Sequence, residues 1–458
     1  TLIELMNRGR HGEAETLART LSTRYPAVGM VWKVLAMAAM LQGKEALQPL
    51  QKAAELLPDD AEVHNYLGTV WQDRGQRVSA AACYRRAIAI QPPYAEAHDN
   101  LGSVLRELGE LQEAIACHRR AVALSPRSPE ALNNLGLALQ EQGNLAEAET
   151  HYSQALALRP EYAEALGNLG NTLRESNRLD DAIGLYRKAL QIKPGLAAAH
   201  NNLGSALMRL GQQADALASY RQALAIDPAY AEACNNQGNA LRDLGRLDEA
   251  VASYRAALKL KPDYAEAHRN LGNVLLDLVR LDEAEASYRQ ALRLKPDYAE
   301  VHSALAIVLR KLDQMSEAEA SCRKALEIKP QLAPAINLLG EIRTDQGRFS
   351  EAEQLFHEAI GIDAELPEAW ANLVRYRRIA DADSSWLATA QRLVAKPLPV
   401  RHRINLHFAI GKYFDDLGDY AQGFASYRSA NELSKTLGIR YVPQLHTQFV
   451  DHLIRSQS

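Results

Sequence analysis

At 458 residues the chain is long enough for about three domains of ordinary size. It is 47% hydrophobic and 24% charged, with 6 Phe, 4 Trp and a net charge of -4, a balance that excludes the strongly basic surface of a nucleic-acid or anionic-membrane binder. No apolar run approaches the roughly 18 residues of a membrane span, and no signal-type segment opens the chain.

Taken in chain order, the first element is TLIELMNRGRHGEAETLARTLSTRYP, which enters a recurring wording partway and marks 1–28 as a truncated copy. A copy two residues short follows at 29–60. From Ala61 to Leu366 the wording returns nine times in unbroken register, and Pro92, Pro126, Pro160, Pro194, Pro228, Pro262, Pro296 and Pro330 fall at strict 34-residue steps. The period overrides the three-domain prior and predicts one array. The pattern weakens over 367–403, although PEAWANLVRYRR still reads as a first helix, and it recovers over 404–458 as a final hairpin followed by a C-terminal helix.

Numbering one copy from Ala231 as position 1, the apolar spacing predicts a helix up to about Leu244 and a second from about Asp248 to Leu260. Gly245 separates them and Pro262 stops the second. Gly238 and Ala250 are small where the helices must approach closely, while Leu241, Tyr254 and Ala257 recur on buried faces. Small residues at positions 8, 20 and 27, an aromatic at 24 and Pro at 32 resemble the tetratricopeptide repeat. The resemblance implies an all-α, right-handed α-solenoid of about twelve helix-turn-helix repeats, with the first helix of each lining a concave groove and stability coming from neighbour stacking.

Packing does not require the amides at position 6: Asn100, Asn134, Asn168, Asn202, Asn236 and Asn270. An amide offers a donor and an acceptor to a peptide backbone whatever its side chains. With helices about 10 Å apart and an extended chain rising ~3.3 Å per residue, one Asn meets about every third ligand residue. The column is similar to the concave asparagine array of O-GlcNAc transferases. Asn133, Asn201 and Asn235 at position 5, with Asn171, Asn239 and Asn273 at position 9, extend the candidate peptide-binding face. The alternative reading, satisfaction of polar groups between helices, stands beside it. The expected partner is a protein or extended peptide in the groove, with no nucleic acid and no membrane, and with self-association through the truncated N-terminus. Arg269 and Asn273 begin the carboxylate clamp of chaperone-binding repeats, but Ala304 breaks it.

No active site is expected in this chain, and no cofactor or metal. His64, His98, His200, His268, His302 and His407 share position 4, too far apart to ligate one zinc ion, and read as a packing column alternating with Leu132, Leu166, Cys234 and Trp370. Cys83, Cys117, Cys234 and Cys322 contain no Cys-x-x-Cys pair and read as buried thiols of a reducing, cytoplasmic compartment. Arg375, Arg377 and Arg378, with Arg401, His402 and Arg403, form a basic cluster suited to an acidic partner or to a solvated surface. Phe408 to Ile454 resembles the segment that joins such repeats to the catalytic domain of bacterial sulfotransferases. That resemblance implies a substrate-recognition region of a larger enzyme. A scaffold with an unused groove and an O-GlcNAc-type glycosyltransferase are the competing readings.

Overall fold

The computed structural model describes residues 1–375, 379 and 381–436. Arg377 and Arg378 of the basic cluster, and the part of the tail resemblance beyond Thr436, lie outside the described residues. Among the described residues there are 26 α-helices and no strand. Contacts divide the chain into two units, Thr1–Asn236 and one beginning at Gln237.

The first unit contains α1 (Leu2–Asn7), α2 (His11–Arg24), α3 (Gly29–Met40), α4 (Leu47–Leu56), α5 (Ala61–Asp73), α6 (Arg77–Ile90), α7 (Ala95–Glu107), α8 (Leu111–Leu124), α9 (Pro129–Glu141), α10 (Leu145–Leu158), α11 (Ala163–Glu175), α12 (Leu179–Ile192), α13 (Ala197–Arg209) and α14 (Gln213–Ile226). The division falls within α15 (Ala231–Asp243). The second unit continues through α16 (Leu247–Leu260), α17 (Ala265–Asp277), α18 (Leu281–Leu294), α19 (Ala299–Lys311), α20 (Met315–Ile328), α21 (Ala333–Asp345), α22 (Phe349–Ile362), α23 (Pro367–Arg375), α24 (Ser384–Val394), α25 (Val400–Asp416) and α26 (Tyr420–Thr436). Consecutive helices pair as hairpins, and hairpins stack on their chain neighbours.

The helix ends follow from a few residues. Gly245 takes φ +74°, its N–H donates to Arg242 O at 2.9 Å, and Arg246 N–H donates to Leu241 O at 2.9 Å, so the last carbonyls of α15 are satisfied by a left-handed cap. In eight of the nine regular copies the position-8 glycine faces the position-24 ring. A Cβ built on Gly238 would lie 2.6 Å from the Tyr254 ring, and one on Gly272 would lie 2.6 Å from Tyr288. Those rings are fully buried, so the glycines set the distance of closest approach. The one regular copy with Ala306 in place of glycine has Cys322 in place of the ring, and that thiol is fully buried.

The position-4 histidines do more than pack. In five of the six Nε2 lies on the carbonyl of the proline six residues earlier, at 3.1 Å for His64 and Pro58, 3.0 Å for His98 and Pro92, 3.2 Å for His200 and Pro194, 3.0 Å for His268 and Pro262, and 2.9 Å for His302 and Pro296; His407 has Arg401 at that place. A carbonyl only accepts, so these nitrogens donate. Trp32 and Trp370 occupy the same position and donate their indole N–H to Pro26 O and Ala364 O, both at 2.9 Å. In these seven copies a ring N–H ties the inter-hairpin loop to the next first helix, whereas Leu132, Leu166 and Cys234 at the same position carry no such donor.

Where the repeat wording weakens, aromatic residues supply a separate core. Trp386 of α24 stacks on Tyr413 of α25 with centroids 5.1 Å apart and donates its indole N–H to Trp370 O at 3.0 Å. Phe356, Leu393, Leu406 and Phe414 close around them. At the other end α1 and α2 leave Ile3 and Leu17 exposed. All four cysteines are free thiols, two buried and two half-buried.

Candidate functional site

The position-6 amides form a hydrogen-bonded ladder between successive first helices. Asn100 Nδ2 donates to Asn65 Oδ1 at 3.1 Å, Asn134 to Asp99 Oδ2 at 2.9 Å, Asn168 to Asn133 Oδ1 at 3.0 Å and Asn236 to Asn201 Oδ1 at 3.0 Å. The acceptor in each case is position 5 of the preceding copy. Asn202 departs from this because position 5 of the copy before it is Gly167, which has no side chain. Its Nδ2 turns instead to Asn171 Oδ1 at 2.9 Å. In the second unit Asn372 repeats the pattern on Asn337 Oδ1 at 3.2 Å.

The candidate face therefore divides by position. Asn133, Asn201 and Asn235 are buried, as is Asn270, and their side chains belong to the packing between hairpins. Asn171, Asn239 and Asn273 are half-buried and turn their oxygens inward. Each accepts the hydroxyl of the position-24 tyrosine, at 2.7 Å from Tyr186, 2.8 Å from Tyr254 and 2.8 Å from Tyr288. Burial pushes the Tyr186 hydroxyl up to about 12, so it stays a donor at neutral pH. Thr69 and Ser205 serve Tyr84 and Tyr220 at the same position, both at 3.3 Å. Asn100, Asn134, Asn168, Asn202 and Asn236 remain half-exposed. Among the described residues no protein donor reaches the Oδ1 of Asn100, Asn134, Asn168 or Asn236, and each spends one amide hydrogen on the ladder. In these four copies the amide keeps one carbonyl oxygen and one hydrogen without a protein partner, the pair a peptide unit matches, whereas Asn202 Oδ1 accepts from Asn201 Nδ2 at 3.5 Å.

One copy carries a different pair. His118 replaces the ring and Asp99 the position-5 amide, with His118 Nδ1 and Asp99 Oδ1 2.7 Å apart and His118 fully buried. Asp99 uses its second oxygen for Asn134, so the ladder passes unbroken through the exchange. Of the arginines at position 12, Arg106 pairs with Glu141 at 2.6 Å, Arg242 with Asp243 at 3.0 Å, and Arg310 with Glu341, whereas Arg174 at the same position has a buried Nε without a hydrogen-bond partner. Among the described residues no group of three His, Cys, Asp or Glu is placed to hold a metal ion. No helix among them is long and apolar enough to cross a membrane.

The paired helices, the 34-residue register and the position-8 to position-24 contact define a tetratricopeptide-repeat solenoid. Family models described as tetratricopeptide repeats match residues 127–195 and 102–143, and the chain is a tetratricopeptide-repeat protein. A model of the C-terminal domain of cilia and flagella-associated protein 70 matches residues 162–373. A model described as the Est1 DNA/RNA binding domain matches residues 46–110, so the expectation of no nucleic-acid partner, drawn from charge balance, is not carried forward. Among solved structures, MamA is 26% identical over 36% of this chain and 96% of its own, with a TM-score of 0.34. YrrB, described as a TPR protein with an unusual peptide-binding site, is 24% identical over 40% of this chain and 95% of its own, at 0.35. Pseudomonas aeruginosa pilF is 25% identical over 46% and 96%, at 0.42. The comparison with curated proteins gave no match.

Proposed function

We propose that the chain is a protein-interaction module whose first helices take an extended polypeptide through its backbone. The observation that supports this reading is a half-exposed amide in each of five consecutive copies, from Asn100 to Asn236, of which Asn100, Asn134, Asn168 and Asn236 have an oxygen that no protein donor reaches among the described residues. The test is isothermal titration with an unstructured Gly-Ser-Thr peptide and with its backbone N-methylated counterpart. Asn168→Ala, Asn202→Ala and Asn236→Ala together should abolish binding of the first peptide, and the N-methylated peptide should not bind the parent chain. Each substitution also removes one inter-copy bond worth about 1 kcal/mol, so titrations are run well below the melting temperature of the variant. Binding that survives the triple substitution rejects the amide-reading mechanism and leaves a scaffold that works through other faces.

The resemblance of Phe408 to Ile454 supports a second proposal, that the module serves a sulfotransferase. A gene that continues past Ser458 into a strand and a Pro-Arg-Ser-Gly-Thr phosphosulfate loop would support it, and a nucleotide-sugar domain there would replace it with the glycosyltransferase reading. Four free thiols fit the proposed cytoplasmic setting.

A further inference from the structure

Three departures from the repeat wording fall together on α11 and α13, inside the first unit. Position 5 is Gly167, where a Cβ would meet nothing within 4 Å, although Asn133 and Asn201 stand there in the copies on either side. Position 2 is Ala198 between Glu164 and Glu232, and position 13 is Arg209 between Glu175 and Asp243. Of the nine regular first helices, α13 alone has no Asp or Glu.

The change at position 13 removes a partner. Position 12 of one copy ordinarily meets position 13 of the next: Arg106 Nη1 donates to Glu141 Oε1 at 2.6 Å, Gln140 Nε2 donates to Glu175 Oε1 at 3.0 Å, and Arg310 lies 3.6 Å from Asp345. For Arg174 that place holds Arg209, a second cation. Among the described residues neither arginine forms an ion pair. Arg174 is half-buried beside the Tyr186 hydroxyl, and its Nε is buried with no hydrogen-bond partner. Arg209 is exposed and held by neutral acceptors alone, Nη1 donating to Arg174 O at 2.7 Å and Nη2 to Asn177 Oδ1 at 2.8 Å. A guanidinium carries five N–H donors, so these two bonds hold it in place and leave three donors and the whole charge unanswered. The carboxylates on α11 and the first helices flanking the pair have partners of their own. Glu130 pairs with Arg159 at 2.7 Å, Glu141 with Arg106, Glu164 with Lys193 at 3.7 Å and Asp243 with Arg242, while Glu175 takes the Gln140 amide and Glu232 the Asn201 amide at 3.4 Å.

We propose that Arg174 and Arg209 take one carboxylate of the polypeptide bound along the amides, an Asp or Glu side chain at the point where that ligand crosses α11 and α13. The inference rests on the function proposed above and names the chemistry of its ligand. What Arg174 lacks is the group that Glu141 gives Arg106, so a ligand carboxylate completes the pairing that the register leaves open. Positions 6 and 12 are six residues apart, about 9 Å along a helix, a span that a glutamate and an arginine side chain cover when they reach toward each other. A polyanion would also meet Glu141 and Glu175 in the same column, whereas one carboxylate meets only the arginine pair.

The test is isothermal titration of the full chain with the Gly-Ser-Thr peptide carrying one central Glu, with its Gln counterpart and with a single-stranded dT8 oligonucleotide. The Glu peptide should bind at least tenfold more tightly than the Gln peptide, and added salt should shrink the difference. Arg209→Glu restores the acid that position 13 carries on either side, so the chain should keep its melting temperature while the tenfold preference disappears. Arg174→Gln should remove the preference as well, and Arg119→Gln on α8 should leave it unaltered. Equal binding of the two peptides by the parent chain, or a preference that survives Arg209→Glu and Arg174→Gln, would overturn this proposal and leave the amide reading standing. Failure of both peptides to bind would reject the amide reading and this proposal with it. Tighter binding of dT8 that Arg209→Glu removes would assign the two arginines to nucleic acid and overturn the proposal as well.

Discussion

Val279 holds φ +59°, in the left-handed region where a β-branched residue crowds its own backbone. The same turn position is glycine at Gly75, Gly109, Gly143, Gly211, Gly245 and Gly347, all with positive φ, whereas Asn177 and Asp313 reach φ +61° and +62° with short polar side chains. Val279 is 65% exposed, so its side chain gives little packing in return. Val279→Gly should therefore stabilise the second unit by about 1 kcal/mol, seen as a higher urea midpoint; a lower midpoint would mean that the valine contributes contacts outweighing its strain. The turn was legible in the sequence because six copies spell it with glycine. What the spelling concealed was that register with its neighbours holds Val279 in the same conformation, for Arg280 N–H still donates to Leu275 O at 2.8 Å and closes the cap. The amide column was legible in the same partial way. Its periodicity named the residues, but only the partners distinguish Asn168, which presents an open edge, from Asn270, which is buried.

Between elements, the ring at position 24 and the residue at position 8 behave as one unit. Gly238→Ala would push a methyl group against the Tyr254 ring and should cost about 1–3 kcal/mol, measured by chemical unfolding. The copy with Ala306 and Cys322 offers the reciprocal experiment. Cys322→Tyr alone should overpack, whereas Ala306→Gly with Cys322→Tyr should recover most of the loss, giving a coupling energy that additive effects would not produce. Burial pushes the Cys322 thiol up to about 12, so reactivity with a thiol reagent should appear only on unfolding. Neighbouring hairpins are also joined by charge. Arg343, 5% exposed, donates Nη1 and Nη2 to the two oxygens of Glu319 at 2.7 and 2.9 Å, and this fork lowers the carboxyl from 4.5 to about 2. A lowered folded value means that the stabilisation is fully present above 4.5 and is lost as pH falls through about 2. Arg343→Gln should cost about 1.5–3 kcal/mol at pH 7, and the gap from the parent chain should narrow below pH 4.5; a gap constant with pH would deny the pair its role. This contact, and the C-terminal cleft that Arg310, Glu341, Glu368 and Asn405 line, were hard to read from sequence because their members stand at different repeat positions. Arg375, Arg401 and His402 stood out as a basic cluster, but nothing in the spacing joined them to Arg310 or Lys412.

Among the described residues, every substantial helix contact joins helices no more than two places apart in chain order. Stability is then a sum over hairpins and the interfaces between neighbours, and the hairpins at an end, having one neighbour, should open first. Within the first unit α1 buries no residue, whereas α9 buries Ala131, Leu132, Leu135, Ala138 and Leu139 among others. Amide exchange should be fastest in α1 and α2 and slowest in α9 to α12, and low urea should accelerate the slow class while leaving the fast class unaltered. Uniform protection across that unit would mean that it opens as one cooperative block and that the neighbour-sum account fails. The same measurement locates a ligand, because a bound chain adds its free energy only to the openings that release it. With the Gly-Ser-Thr peptide exchange should slow along the copies that carry Asn100 to Asn236. Protection that spreads instead over the whole unit, or that survives Asn168→Ala, Asn202→Ala and Asn236→Ala together, would place the ligand elsewhere than on these amides.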